Sequence, residues 1–88
     1  MNGYENFKES LRSWLSALPT IVFYGDRVGK KVGDKYLTVS IRLLYREYSR
    51  SSMKDTIRFF LDELDPERDA VEVVPCEQFV GEPDVLVA

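Results

Sequence analysis

Between Tyr36 and Tyr48 apolar and polar side chains alternate, with Leu37, Val39, Ile41, Leu43 and Tyr45 on one side and Thr38, Ser40, Arg42 and Arg46 on the other. A period of two predicts a strand with one buried and one solvated face. A spacing of three and four residues flanks this stretch on both sides: Phe7, Leu11, Trp14, Leu15 and Leu18 precede it, and Met53, Ile57, Phe60, Leu61 and Leu64 follow it. These stripes predict two amphipathic helices whose apolar sides cover the strand, with Trp14 in the core.

Local signals set the boundaries. Asn2 and Glu5 form a capping pair and Pro19 is a stop, which places the first helix at about residues 3–18. Thr20 to Tyr24 is β-branched and aromatic, the composition of a short strand. From Gly25 to Lys35 glycine recurs at every fourth position with only two apolar residues, which predicts an exposed loop or a twisted hairpin tip. Ser52 and Asp55 cap the second helix, which ends at about Leu64, before Asp65 and Pro66; Phe59 lies off its stripe. Ala70 to Val74 is a further strand limited by Pro75, and Phe79 to Ala88 reads as an edge strand or as an arm for a neighbouring subunit.

The order α-β-β-α-β-β gives an α+β fold: a small sheet of three to four mostly antiparallel strands with both helices on one face, in a single domain spanning residues 1–88. The strands on either side of the second helix are expected to be joined by a right-handed crossover.

Composition narrows the function classes. The chain has 88 residues, no histidine and a single cysteine, Cys76, so it lacks the commonest general base and metal ligand and forms no internal disulfide. A chain this short buries only ~60–65% of its unfolded surface, which makes oligomerisation useful to its stability. Its longest apolar runs, such as Ile21 to Tyr24, fall far short of the ~20 residues that span a bilayer. The expectation is a soluble cytoplasmic protein without membrane contact.

Charge is unevenly spread along the chain, although the net value is only -3. Arg27 to Arg50 holds seven basic residues (Arg27, Lys30, Lys31, Lys35, Arg42, Arg46, Arg50) against two acidic ones, whereas Asp55 to Ala88 holds ten acidic residues against two basic. A basic pole and an acidic pole are the expectation.

None of the candidate constellations reaches an enzymatic signature. Gly25 and Gly29 enclose three residues, where a phosphate-binding loop needs four and then Lys followed by Ser or Thr. Arg42 and Arg46 beside Tyr36 and Tyr48 resemble a single-strand nucleic-acid platform in composition, but the chain is acidic and carries no matching motif, so nucleic acid is not the expected partner. The carboxylates Asp62, Glu63, Asp65, Glu67, Asp69 and Glu72 suggest paired acid and base groups or a calcium loop, but the stretch from Asp62 to Asp69 contains Pro66 and lacks the central glycine of such a loop, so they read as a solvated helix end. Without a histidine to activate it, Cys76 reads as structural. No cofactor and no small-molecule substrate is expected.

The opening Phe7-Lys8-x-x-Leu11-Arg12-x-Trp14-Leu15, the strand ending Phe23-Tyr24-Gly25-Asp26-Arg27, and the segment from Val73 to Glu82 together resemble tailed-phage minor capsid and tail-terminator proteins. The resemblance lies in element order and apolar spacing. It implies a non-catalytic virion subunit of the head-tail junction or tail end, assembling head to tail into a homo-oligomeric ring, in the virion or in the host cytoplasm during assembly. The surface expected to meet protein partners comprises Arg27, Lys30, Lys31, Arg42, Arg46 and Arg50 on the basic side, Asp62, Glu63 and Glu67 on the acidic side, and Phe79, Val85 and Leu86 in the arm. The alternative is a small acidic inhibitor or adaptor that occupies a basic site on a host protein by polyanion mimicry.

Overall fold

Ser40, not Tyr48, ends the alternating strand. The computed structural model describes residues 2–79. Its elements are α1 (Gly3–Leu15), β1 (Ile21–Tyr24), β2 (Arg27–Val32), β3 (Lys35–Ser40), α2 (Ile41–Tyr48), α3 (Met53–Arg58) continuing into a π-helical turn (Phe59–Glu63), β4 (Glu72–Pro75) and a closing 3-10 turn (Cys76–Phe79). The α+β arrangement is as the sequence predicts, with one helix more and the order changed around β3.

The strand breaks at Ser40 because Ser40 is a helix cap. Its backbone is extended, with φ -65° and ψ 136°, and its hydroxyl accepts the Arg42 N–H at 3.2 Å. Ile41, Leu44, Tyr45 and Tyr48 then recur at helical spacing, and Ile41 and Leu44 are buried. The prediction of one strand through Tyr48 is therefore corrected, and Arg42 and Arg46 stand on a helix.

The four strands form one antiparallel sheet in the order β1-β2-β3-β4. Two-residue turns at Gly25-Asp26 and Gly33-Asp34 link β1 to β2 and β2 to β3. Their glycines take φ of +55° and +65°, the position that a type II′ hairpin turn reserves for glycine. The predicted loop from Gly25 to Lys35 is thus a twisted hairpin whose middle is strand. After β3 the chain turns through α2 and α3 and returns as β4 beside β3, antiparallel, so the expected crossover is an excursion back to the same edge.

Register divides the sheet into two faces. Ile21, Phe23, Val28 and Val39 meet Tyr4, Phe7, Leu11 and Leu15 of α1, Ile41 and Leu44 of α2, and Phe60 of the π-turn in the main core. The opposite face carries a smaller cluster of Val22, Tyr36 and Val74, with Tyr24 and Cys76 packed against it. Tyr36 is therefore a packed residue and not part of a solvated face. The tail segment predicted as an edge strand or arm, from Val80 onward, lies outside the described residues.

Candidate interaction surface and cleft

The buried stripe of α1 is Tyr4, Phe7, Leu11 and Leu15, and this set fixes where the remaining apolar residues of that segment go. Trp14 falls one position away from the stripe, 53% exposed, and Leu18 beyond the helix end is 38% exposed. The expectation that Trp14 belongs to the core is corrected: Leu15 takes the inward position, and adjacent helical residues face about 100° apart. Next to Leu18, between the end of α1 and β1, runs a groove of about 460 Å³ lined by Leu15, Leu18, Pro19, Ile21 and Phe23. Arg12 closes one side, its guanidinium 5.4 Å from the Phe23 ring centre.

The two edges of the sheet differ in chemistry. Among the described residues β1 pairs only with β2 and β4 only with β3. Strand β4 carries Glu72 and Pro75, two residues that blunt an edge against further pairing. Strand β1, Ile-Val-Phe-Tyr, carries neither a charge nor a proline.

The basic residues serve several purposes. Arg27 donates through Nε to Thr38 Oγ1 at 3.1 Å and through Nη2 to the Thr38 carbonyl at 3.0 Å, so it braces β2 against β3. Lys30 crosses the helical side of the sheet to donate to the Leu61 carbonyl at 2.8 Å, which caps the π-turn. Burial pulls its pKa down, and nearby Asp62 opposes that pull. Arg42 lies over the Tyr4 ring, 3.9 Å from its centre. Burial and the charge of Asp26 raise the Tyr4 pKa, while Lys8 and Arg42 lower it. Lys31 is exposed on β2.

Arg46 and Arg50 line a second cavity, an open cleft of about 580 Å³ between α2, the π-turn and the segment that precedes β4. Glu63 of the acidic candidates borders the same cleft, and Asp62 lies close enough to Lys30 to act on its charge. Groups that are segregated along the sequence are thus interleaved in space. Glu67 is exposed, its N–H bonded to Asp65 Oδ1 at 2.9 Å. Val85, Leu86 and the side chain of Phe79 lie outside the described residues.

Two contributors to these surfaces escape sequence reasoning. The exposure of Trp14 has a signal in the neighbouring Leu15, which completes the 4-7-11-15 spacing without it. Ala70 borders the cleft with φ +53°, a left-handed conformation that an alanine sequence position does not announce.

Among the described residues no group of three or more His, Cys, Asp or Glu side chains could hold a metal ion. No helix there is long and apolar enough to cross a membrane. No family model, no curated protein and no solved structure matches the chain. The viral, virion-assembly and tail-terminator description that followed from the resemblance is accordingly withdrawn: no relative carries it.

Proposed function

We propose that this chain is a non-catalytic interaction module that associates with a second copy of itself through β1 and the adjoining groove. The observation that carries the reading is the apolar groove in which the exposed Leu18 stands beside Ile21 and Phe23 of β1, an edge strand without charge or proline. An uncharged edge strand is self-complementary in antiparallel pairing about a two-fold axis, which joins two four-stranded sheets into one of eight strands.

The test is the mass of the protein in solution as a function of concentration, measured by sedimentation equilibrium. The expected result is a reversible dimer for the native chain and a monomer for Leu18→Glu, whose exposed position leaves the fold intact by circular dichroism. A native chain that stays monomeric up to about 1 mM, a dissociation constant corresponding to about 4 kcal/mol, overturns the proposal.

The adaptor reading has less in its favour. The exposed carboxylates of Asp62, Glu63 and Glu67 are flanked by Arg58 and Arg68, and Glu63 shares the cleft with Arg46 and Arg50, so they present no continuous polyanion.

A further inference from the structure

The cleft beside α2 has features that self-association does not use. Its floor is apolar: Leu43 and Phe59 are half-buried and lean on the main core. Its rim carries Arg46 and Arg50, about one helical turn apart, together with Glu47 and Glu63. Among the described residues none of these four side chains takes part in an ion pair or a side-chain hydrogen bond, although both signs of charge line the same space. The remaining rim charges, Arg68 and Asp69, are committed to each other. The Arg68 guanidinium donates to both Asp69 carboxylate oxygens at 3.0 and 2.9 Å and to the Glu63 carbonyl at 3.1 Å, and its charged form is favoured first by Asp69 and to a lesser degree by the Glu63 carboxylate, which makes no ion pair with it.

Two departures from regular backbone border this one cavity. The π-helical turn supplies Phe59 and Glu63, and Ala70 holds its positive φ on the facing segment. Both kinds of irregularity concentrate at functional sites, where backbone geometry is held for a purpose other than stability.

We infer that the cleft binds a small zwitterion carrying an apolar group, of the chemical class of the apolar amino acids. The carboxylate of such a ligand meets the forked donors of Arg46 and Arg50, its ammonium meets Glu47 and Glu63, and its apolar group lies on Leu43 and Phe59. A simple anion satisfies the arginines while facing two uncompensated carboxylates, and a simple cation meets the converse. A ligand of both signs avoids each repulsion. An extended polyanion is disfavoured on the same ground.

The experiment is a titration of the isotope-labelled full-length chain, followed through its amide resonances, with L-phenylalanine, phenylacetate, phenethylamine and inorganic phosphate as separate probes at constant ionic strength. Saturable shifts of Leu43, Arg46, Arg50, Phe59 and Ala70 with L-phenylalanine are expected. Phenylacetate and phenethylamine should bind at least about tenfold more weakly, the scale of one lost charged hydrogen-bonding group. The double variant Arg46→Gln/Arg50→Gln should weaken L-phenylalanine and phenylacetate but not phenethylamine. The double variant Glu47→Gln/Glu63→Gln should weaken L-phenylalanine and phenethylamine but not phenylacetate. All four side chains lie at the surface, and amide dispersion confirms that both variants fold. Absence of saturable shifts with L-phenylalanine up to about 10 mM overturns the inference, since that corresponds to less than about 3 kcal/mol of binding. Phosphate or phenylacetate binding as tightly as L-phenylalanine also overturns it, because the site then reads only negative charge.

Discussion

Gly29 lies directly across from Thr38 with no room for a side chain between them: a Cβ on Gly29 would come within 2.8 Å of Thr38 Cγ2 and 3.3 Å of Val22 Cγ1. Thr38 cannot easily turn away. It is fully buried, and its hydroxyl accepts from Arg27 and donates to the Glu72 carbonyl at 3.1 Å, which ties three strands together at one residue.

Gly29→Ala is therefore expected to destabilise the fold by about 1–3 kcal/mol, the usual cost of overpacking a filled site. Thr38→Ser removes the obstructing methyl but keeps the hydroxyl. Chemical denaturation of the two single variants and the double should show that the alanine costs less when Thr38→Ser is already present. Equal cost in both backgrounds would mean that the Thr38 methyl is not what excludes the side chain.

The helix start at Ser40 makes its own prediction. Ser40→Ala removes the acceptor for the Arg42 N–H and should cost about 1 kcal/mol, whereas Ser40→Asp, which restores an acceptor, should cost less. Thermal or urea unfolding distinguishes them, and an alanine variant as stable as the native chain would contradict the capping role.

Acid sensitivity should appear at Asp69. Hydrogen bonds from Arg68 hold its carboxyl below the ordinary value of 3.8; burial works against this, and the Asp65 N–H adds to it. A carboxylate depressed in the folded state contributes stability that is present above the unfolded value and is lost as pH falls through the lower folded value. The stability gap between the native chain and Asp69→Asn, measured by urea unfolding, should thus be open at neutral pH and narrow below about pH 4. A gap of constant size down to about pH 2 would show that Asp69 acts through something other than its charge.

Much of the fold can be read from residue spacing, and its failures have physical causes. Ile41-Arg42-Leu43-Leu44-Tyr45 satisfies two periods at once: Ile41, Leu43 and Tyr45 continue the strand, while Ile41, Leu44, Tyr45 and Tyr48 make a helical stripe. Because Leu37 and Val39 establish a strand first, the period of two extends too far, and only the capping hydroxyl of Ser40 decides between them. In the glycine-rich hairpin, low apolar content hides strand β2, because Lys31 and Val32 are exposed and Gly29 has no side chain to show its burial. The candidate site is less legible. Arg46 and Arg50 stand out in the sequence as contact residues, and they do line a cavity, but its floor at Phe59 and its far wall at Ala70 come from segments that meet α2 only in the folded chain.

The route from β3 to β4 gives the sheet two kinetic halves. Strands β1, β2 and β3 meet across two-residue turns, so their pairing closes short loops, whereas Leu37 must wait for Val73 across the whole of α2, α3 and the π-turn. Short loops close at little entropic cost, and distant ones come later. In amide hydrogen exchange under mildly denaturing conditions, the amides of β4 should open at lower free energy than those joining β2 to β3. The three-stranded meander then acts as the template on which the last strand is laid. Because Arg68, Asp69 and Ala70 lie just before that strand, the far wall of the cleft can form only once it has docked.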